Sequence, residues 1–147
     1  SRIMSLKDGT KKMSKSEVSD LSRINLTDEK DDIINKIKKA KTDTLPLPSS
    51  SNELKNRPEA KNLIGIYSSI SNTSLEQSIQ KFSGKNFSEF KEILSQVLVD
   101  KITPISNEIK KLLNEKNYLN EILLKGSEKA ENIASKKIRK IHEIIGF

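Results

Sequence analysis

No cysteine occurs in the 147 residues, and histidine occurs once, at His142. A disulfide framework, a thiolate metal site and a cysteine nucleophile are therefore excluded. So are a multi-histidine metal site and a two-histidine acid–base pair within the chain. These absences predict no protein-bound metal. Aromatic residues make up only 4% of the sequence, so a core built from it is lean in rings. No apolar run approaches the roughly 18 residues of a membrane span, and no secretory apolar segment opens the sequence. The expectation is a cytoplasmic protein without a membrane partner. The five glycines, Gly9, Gly65, Gly84, Gly126 and Gly146, are scattered. The chain thus lacks the glycine-rich first turn with which a nucleotide-binding fold holds phosphates.

Leu, Ile, Val and Phe account for 41 residues. That share exceeds the roughly one-fifth below which a highly charged chain tends to stay disordered. The length suits one domain or a part of something larger. Lysine and arginine number 27 against 20 acidic residues, a net charge of +7. Such a balance attracts polyanions without specifying which.

The pattern along the chain is helical after a short start. Residues 2–6 alternate as a strand would, with Ile3, Met4 and Leu6 able to pack, and the absence of a turn or initiator methionine before them suggests the middle of a domain. Lys7-Asp8-Gly9-Thr10 is a turn signal in which Gly9 is free to take a positive φ, and residues 11–22 are polar and aperiodic. Thr27 or Asp28 is placed to cap a helix with Ile33, Ile34, Ile37 and Ala40 on its apolar face. The lysines at its end, Lys36 among them, suit the helix dipole. Residues 42–57, with Pro46 and Pro48, suggest a linker or exposed loop. Pro58 opens the next helix, and the Ser74–Gln77 capping box opens another that ends at Gly84. Phe87 and Phe90 begin a long apolar run, as core rather than stacking surfaces, and Pro104 should kink or break it. A short helix is expected up to Gly126. A last one carries Ala130, Ile133, Ala134, Ile138, Ile141 and Ile145 inward and Lys136, Lys137, Arg139 and Lys140 outward. His142 suits an ordinary surface position. The fold class is a mainly α helical bundle preceded by one strand and a loop.

Chemistry concentrates in Lys12-Met13-Ser14-Lys15-Ser16. Two ammonium groups three residues apart on a loop can close over a triphosphate and follow charge onto departing pyrophosphate. The hydroxyls and loop N–H groups can add phosphate contacts, and Met13 can lie against a flat base. In an arbitrary lysine-rich loop the same residues would simply be solvated.

This segment is identical to the KMSKS signature of class I aminoacyl-tRNA synthetases. With Arg2-Ile3-Met4-Ser5-Leu6 before it, Ser22-Arg23-Ile24-Asn25-Leu26-Thr27-Asp28 after it, and Lys36 to Asp43, Asn62 to Tyr67 and Phe90 to Ile105 beyond, the chain resembles the C-terminal part of bacterial-type tryptophanyl-tRNA synthetases over essentially its whole length. One departure is Glu17-Val18, where that family usually has Asp, often followed by Pro; the charge is kept and a rigid residue lost. The resemblance implies a division into residues 1–22, a remnant of the Rossmann-like catalytic domain carrying the signature loop, and residues 23–147, a helical domain that approaches the anticodon arm. It implies catalytic roles for Lys12 and Lys15 and ATP contacts by Ile3, Lys12, Met13, Ser14, Lys15 and Ser16. The implied substrates are ATP with its Mg2+, L-tryptophan and tRNA(Trp). The implied parent is a homodimer whose tryptophan pocket and dimer interface lie mostly outside this chain, which by itself should be inactive, with residues 7–20 mobile. For Lys136, Lys137, Arg139 and Lys140, tRNA phosphate contact stands beside plain solvation. Two alternatives are a helical RNA-binding or interaction module without catalysis and a tyrosine-specific relative.

Overall fold

The computed structural model describes residues 2–146. In chain order its elements are a 3-10 turn at Asp20–Ser22, α1 at Lys30–Lys38, a 3-10 turn at Glu53–Asn56, α2 at Pro58–Ile70, α3 at Leu75–Phe82, α4 at Phe87–Asn114 and α5 at Lys116–Ile145. The chain divides into two compact units, one up to Asn107 and one from Glu108. Among the described residues no helix is long and apolar enough to cross a membrane.

Local chemistry explains most helix boundaries in the first unit. Pro58 occupies the first turn of α2, where its missing N–H costs nothing. At α3 the Gln77 N–H donates to Ser74 Oγ at 3.1 Å while the Ser74 N–H donates to Gln77 Oε1 at 2.9 Å. The chain then turns at Gly84, whose φ of 73° favours glycine. Helix α1 departs from expectation. Its cap is Glu29, in a capping box with Asp32. Asp28 is committed elsewhere, accepting from the Asn25 N–H at 2.8 Å and from Lys36 Nζ at 2.6 Å.

The core of this unit gathers Leu6, both faces of α2, and the apolar stripes of α1, α3 and α4. Its centre is aromatic. Phe82 meets Tyr67 and Phe90 edge-on, with ring centroids 4.7 and 4.8 Å apart, an arrangement that adds to simple area burial. Lys81 Nζ donates to the Tyr67 hydroxyl at 2.7 Å and holds that phenol below its usual pKa.

Three further expectations are corrected in this unit. Residues 2–6 are not a strand: among the described residues there is one antiparallel bridge, Met4 with Lys12. The backbone groups that a sheet would use are taken locally. The Ser5 N–H donates to the Lys11 carbonyl at 2.7 Å and the Met13 N–H to the Ile3 carbonyl at 3.1 Å. The carboxamide of Asn62, on α2, pairs with both the N–H and the carbonyl of Met4 at 2.9 Å. Residues 42–57 are not a free linker either. Leu47, Pro48 and Leu54 are buried. Arg57 clamps the segment through Asp43, at 2.9 and 2.6 Å, and the Pro46 carbonyl at 2.8 Å. The guanidinium holds the Asp43 carboxyl below the usual range. Finally, Pro104 does not end α4. The lost hydrogen bond would have gone to the Asp100 carbonyl, and both residues are on the exposed side, where water can serve it. Leu98, Val99, Ile102 and Ser106 remain buried on the other side.

Gly9 sits in the expected turn but does not use its freedom to take a positive φ. Its requirement is space: a Cβ there would sit 2.5 Å from the Pro58 carbonyl carbon and 2.6 Å from the Glu59 nitrogen. Gly9→Ala must push the turn off the start of α2. We expect a loss of about 1–3 kcal/mol, read as a lower urea midpoint of the full chain. An unchanged midpoint would show that the turn yields freely.

In the second unit, α5 passes through Gly126 without ending and stops at Gly146, where φ is 80°. A helical glycine costs about 1 kcal/mol relative to alanine, too little to break a helix with good formers on both sides. The residues expected to face inward do not. No residue of α5 is buried. Ile133, Ile138, Ile141 and Ile145 are each more than half exposed. Periodicity identifies an apolar face but not a surface to receive it.

Candidate functional site

The signature loop leaves the core at Leu6 and returns at Ser22, and the Leu6 N–H donates to the Ser22 carbonyl at 2.9 Å. Its first root is a tight turn. The Thr10 N–H and hydroxyl both donate to Asp8 Oδ1, at 3.0 and 2.6 Å, and Gly9 lies on the start of α2. Glu59 braces this root: Lys41 Nζ stands 2.9 Å from its carboxylate. Lys41, and less strongly the Gly9 N–H, hold Glu59 below the usual carboxylate pKa.

Between the roots, Ile3, Lys12, Met13, Ser14 and Lys15 line one open cleft of about 790 Å³, together with Arg2 and Arg23. Lys12, Ser14, Lys15 and Ser16 are exposed. Ser16 does not line the cleft. Its hydroxyl instead shares a 2.8 Å hydrogen bond with that of Ser14. Met13 is half-buried and packs against the core cluster, so part of its apolar surface is already used. Ile3 is 43% exposed, presenting an apolar edge to the cleft. Among the described residues no carboxylate pairs with Lys12 or Lys15, so their charge is available to an anion. No group of three or more His, Asp or Glu side chains among the described residues is placed to hold a metal ion.

The second root rests on a charge network that the sequence reading missed. Lys36, read there as a helix-terminal lysine, has a side chain only 5% exposed. Its Nζ lies 2.5 Å from Asp20 Oδ2 and 2.6 Å from Asp28 Oδ2. Burial alone pulls the ammonium's pKa down, but the two carboxylate partners outweigh it and raise it. Asp20 is held low by Lys36 first, then by Asn25, with Arg23 adding to both. Arg23 pairs with Asp20 at 2.8 Å and donates to the Glu17 carbonyl at 2.9 Å. A signal for Lys36 was present: it sits three residues after Ile33 and one before Ile37, on the apolar face of α1. Arg2 and Arg23 are two of only four arginines in the chain, and sequence spacing gave no reason to place them in the cleft.

The other candidate residues lie on α5. Lys136, Lys137, Arg139 and Lys140 are all exposed. Lys136, Lys137 and Lys140 line one shallow face with Lys125 and Lys129, whereas Arg139 does not line it.

Comparison with known proteins gives this arrangement a context. A tryptophan–tRNA ligase of Agrobacterium fabrum is 50% identical over 146 residues, covering 99% of this chain and 41% of its own length. One from Rickettsia conorii is 50% identical over 146 residues, again covering 99% of this chain and 44% of its own length. The chain therefore spans about two-fifths of the length of these curated relatives. Among solved structures, a tryptophanyl-tRNA synthetase from Mycoplasma pneumoniae matches with a TM-score of 0.60 and 28% identity, over 75% of this chain and 35% of its own. The family description "tRNA synthetases class I (W and Y)" matches residues 1–103, the stretch that holds the signature loop, the cleft and the helices behind it. The chain belongs to the class I tRNA synthetases of this tryptophan and tyrosine group.

Proposed function

We propose that this chain is the signature-loop and helical portion of a tryptophan–tRNA ligase, which activates L-tryptophan with ATP and transfers it to tRNA(Trp). The observation that carries the reading is the cleft in which Ile3, Lys12, Met13, Ser14 and Lys15 meet. It combines unpaired cations with apolar edges, the two chemistries a nucleoside triphosphate presents. In the activation step a tryptophan carboxylate oxygen bonds to the α-phosphorus of ATP. The bond from that phosphorus to the bridging oxygen breaks, and pyrophosphate leaves with the electron pair. Lys12 and Lys15 neutralise the charge that grows on the leaving group, an interaction stronger in the transition state than in the ground state. Ile3 and Met13 offer apolar surface to the nucleotide, and the Ser14 and Ser16 hydroxyls exchange their mutual bond for phosphate oxygens. Mg2+ enters with ATP as part of the substrate.

In this reading residues 1–22 belong to the catalytic part and residues 23–147 form the helical domain that faces the anticodon arm. Lys136, Lys137, Arg139 and Lys140 contact tRNA phosphates. The first nucleotide-binding turn, the tryptophan pocket and the homodimer interface belong to the remainder of the parent, a cytoplasmic enzyme. Joining the preceding portion of the Agrobacterium fabrum relative to this chain is expected to restore ATP–pyrophosphate exchange that depends on tryptophan, while the chain alone supports none. A preference for tyrosine would move the assignment to the tyrosine branch. Exchange by the chain alone would refute the division of labour. Salt-sensitive tRNA binding by the chain, with a joined protein that never exchanges, would favour a helical RNA-binding module.

A further inference from the structure

The second root of the signature loop is tied by side-chain contacts to a buried position of α1. Lys36 occupies a position on α1 whose neighbours Ile33 and Ile37 are fully buried. An apolar side chain would suit that position at no desolvation cost, and a buried ion pair is weak evidence for stability in itself. What the charge adds is registry. Lys36 Nζ reaches Asp20, in the loop's second root two residues before Ser22, at 2.5 Å. Asp20 in turn holds Arg23 at 2.8 Å, and Arg23 donates to the carbonyl of Glu17, the residue next to Ser16, at 2.9 Å. Asn25 Nδ2 braces Asp20 from the other side at 3.0 Å. The chain of contacts runs from a buried helix position to the edge of the loop tip.

Its charges also balance. Lys36 and Arg23 oppose Asp20 and Asp28, so the network has no surplus to offer an anion. The attraction of the cleft falls to Arg2, Lys12 and Lys15, while the network supplies position. We propose that Lys36 is a positioning residue for the signature loop: through Asp20 and Arg23 it latches the loop's second root to α1 and so sets where Lys12 and Lys15 stand over the cleft. The catalytic consequence rests on the synthetase reading above; the latch itself does not.

Residue-resolved amide hydrogen exchange on the full chain tests the latch. Asp20 is about half exposed, so Asp20→Ala removes the middle link without opening the core, and the buried Lys36 keeps Asp28. We expect the Met13, Ser22 and Arg23 amides to exchange about tenfold faster, while the Ile33 and Ile37 amides of α1 keep their wild-type rates. Arg23→Lys, which keeps the charge but cannot span both Asp20 and the Glu17 carbonyl, should give the same loop-only pattern. Unchanged loop exchange in both variants would overturn the proposal. Equal loosening of loop and α1 would overturn it too, because that is what a purely structural network gives. In the joined synthetase, Asp20→Ala should raise the KM for ATP about tenfold and leave the KM for tryptophan unaltered; an unaltered KM for ATP would remove the positioning role. If the unmutated joined protein shows no exchange activity, the functional reading fails, and the hydrogen-exchange result still decides the latch.

Discussion

In the joined synthetase, Lys15→Ala is expected to lower ATP–pyrophosphate exchange by about 10²–10³, and Lys12→Ala by a similar factor, with a much smaller change in the KM for tryptophan. The magnitude is that of one well-placed charge donor lost from a transition state, about 2.7–4 kcal/mol. Both ammonium groups line the cleft and neither has a carboxylate partner among the described residues, so neither must break a bond to engage phosphate. The neighbouring Lys11 provides the control. It stands 3.6 Å from Asp8 and does not line the cleft, so Lys11→Ala should leave exchange within about twofold of the parent. Among three lysines in five residues, Lys11 thus carries a different expectation from Lys12 and Lys15. If Lys12→Ala and Lys15→Ala both exchanged at near-parental rates, the role assigned to the loop would be lost.

The largest effect on stability is expected at Phe90. Its side chain is fully buried and its ring meets those of Phe82 and Tyr67, with centroids 4.8 and 6.2 Å away. Truncation to alanine removes the apolar transfer energy, both ring contacts and the support that α4 gives to α2 and α3, and leaves a cavity that neighbouring rings cannot fill without leaving their rotamers. A cost of about 3–5 kcal/mol follows, which is a large part of the total stability of a small domain. Urea unfolding of the full chain, followed by far-ultraviolet circular dichroism, measures it. A cost below about 1 kcal/mol would mean that the aromatic centre collapses around the gap. The sequence holds only six Phe and Tyr side chains, so few other rings could compensate; Phe87, at the start of the same helix, already packs beneath the guanidinium of Arg57, 5.9 Å away.

Where the sequence carried a local chemical reason, the structure could be read from it. Pro58, the Ser74–Gln77 pair and Gly84 each act within one turn: α2 begins at the first, and α3 begins and ends between the other two. The helical class was legible for the same reason, since apolar spacing is a property of the chain itself. Features that depend on a distant partner were not. Residues 2–6 alternate like a strand, yet a side chain fifty-eight positions away, Asn62, satisfies Met4. Residues 42–57 look like a linker until Arg57 is seen to fold back on Asp43. Lys36 looked like a dipole-stabilising charge because its two aspartate partners lie eight and sixteen residues upstream, beyond any helical spacing. The site divides in the same way: contiguous signature residues were identifiable together, whereas Arg2 and Arg23 join them only through the return of the chain at Ser22.

The bonds around residues 3–6 have a consequence for association. An extended segment near the surface is ordinarily a template on which another chain can add a strand, and natural sheets protect such edges with charges, prolines or bulges. Here the protection is saturation. The carbonyl of Ile3 and the N–H and carbonyl of Met4, the N–H of Ser5, and the N–H and carbonyl of Leu6 are all bonded to Met13, Asn62, Lys11, Ser22 and Lys41. An incoming strand finds nearly every donor and acceptor from the Ile3 carbonyl to the Leu6 carbonyl already spent and would have to evict a carboxamide anchored in α2 to form a ladder at Met4.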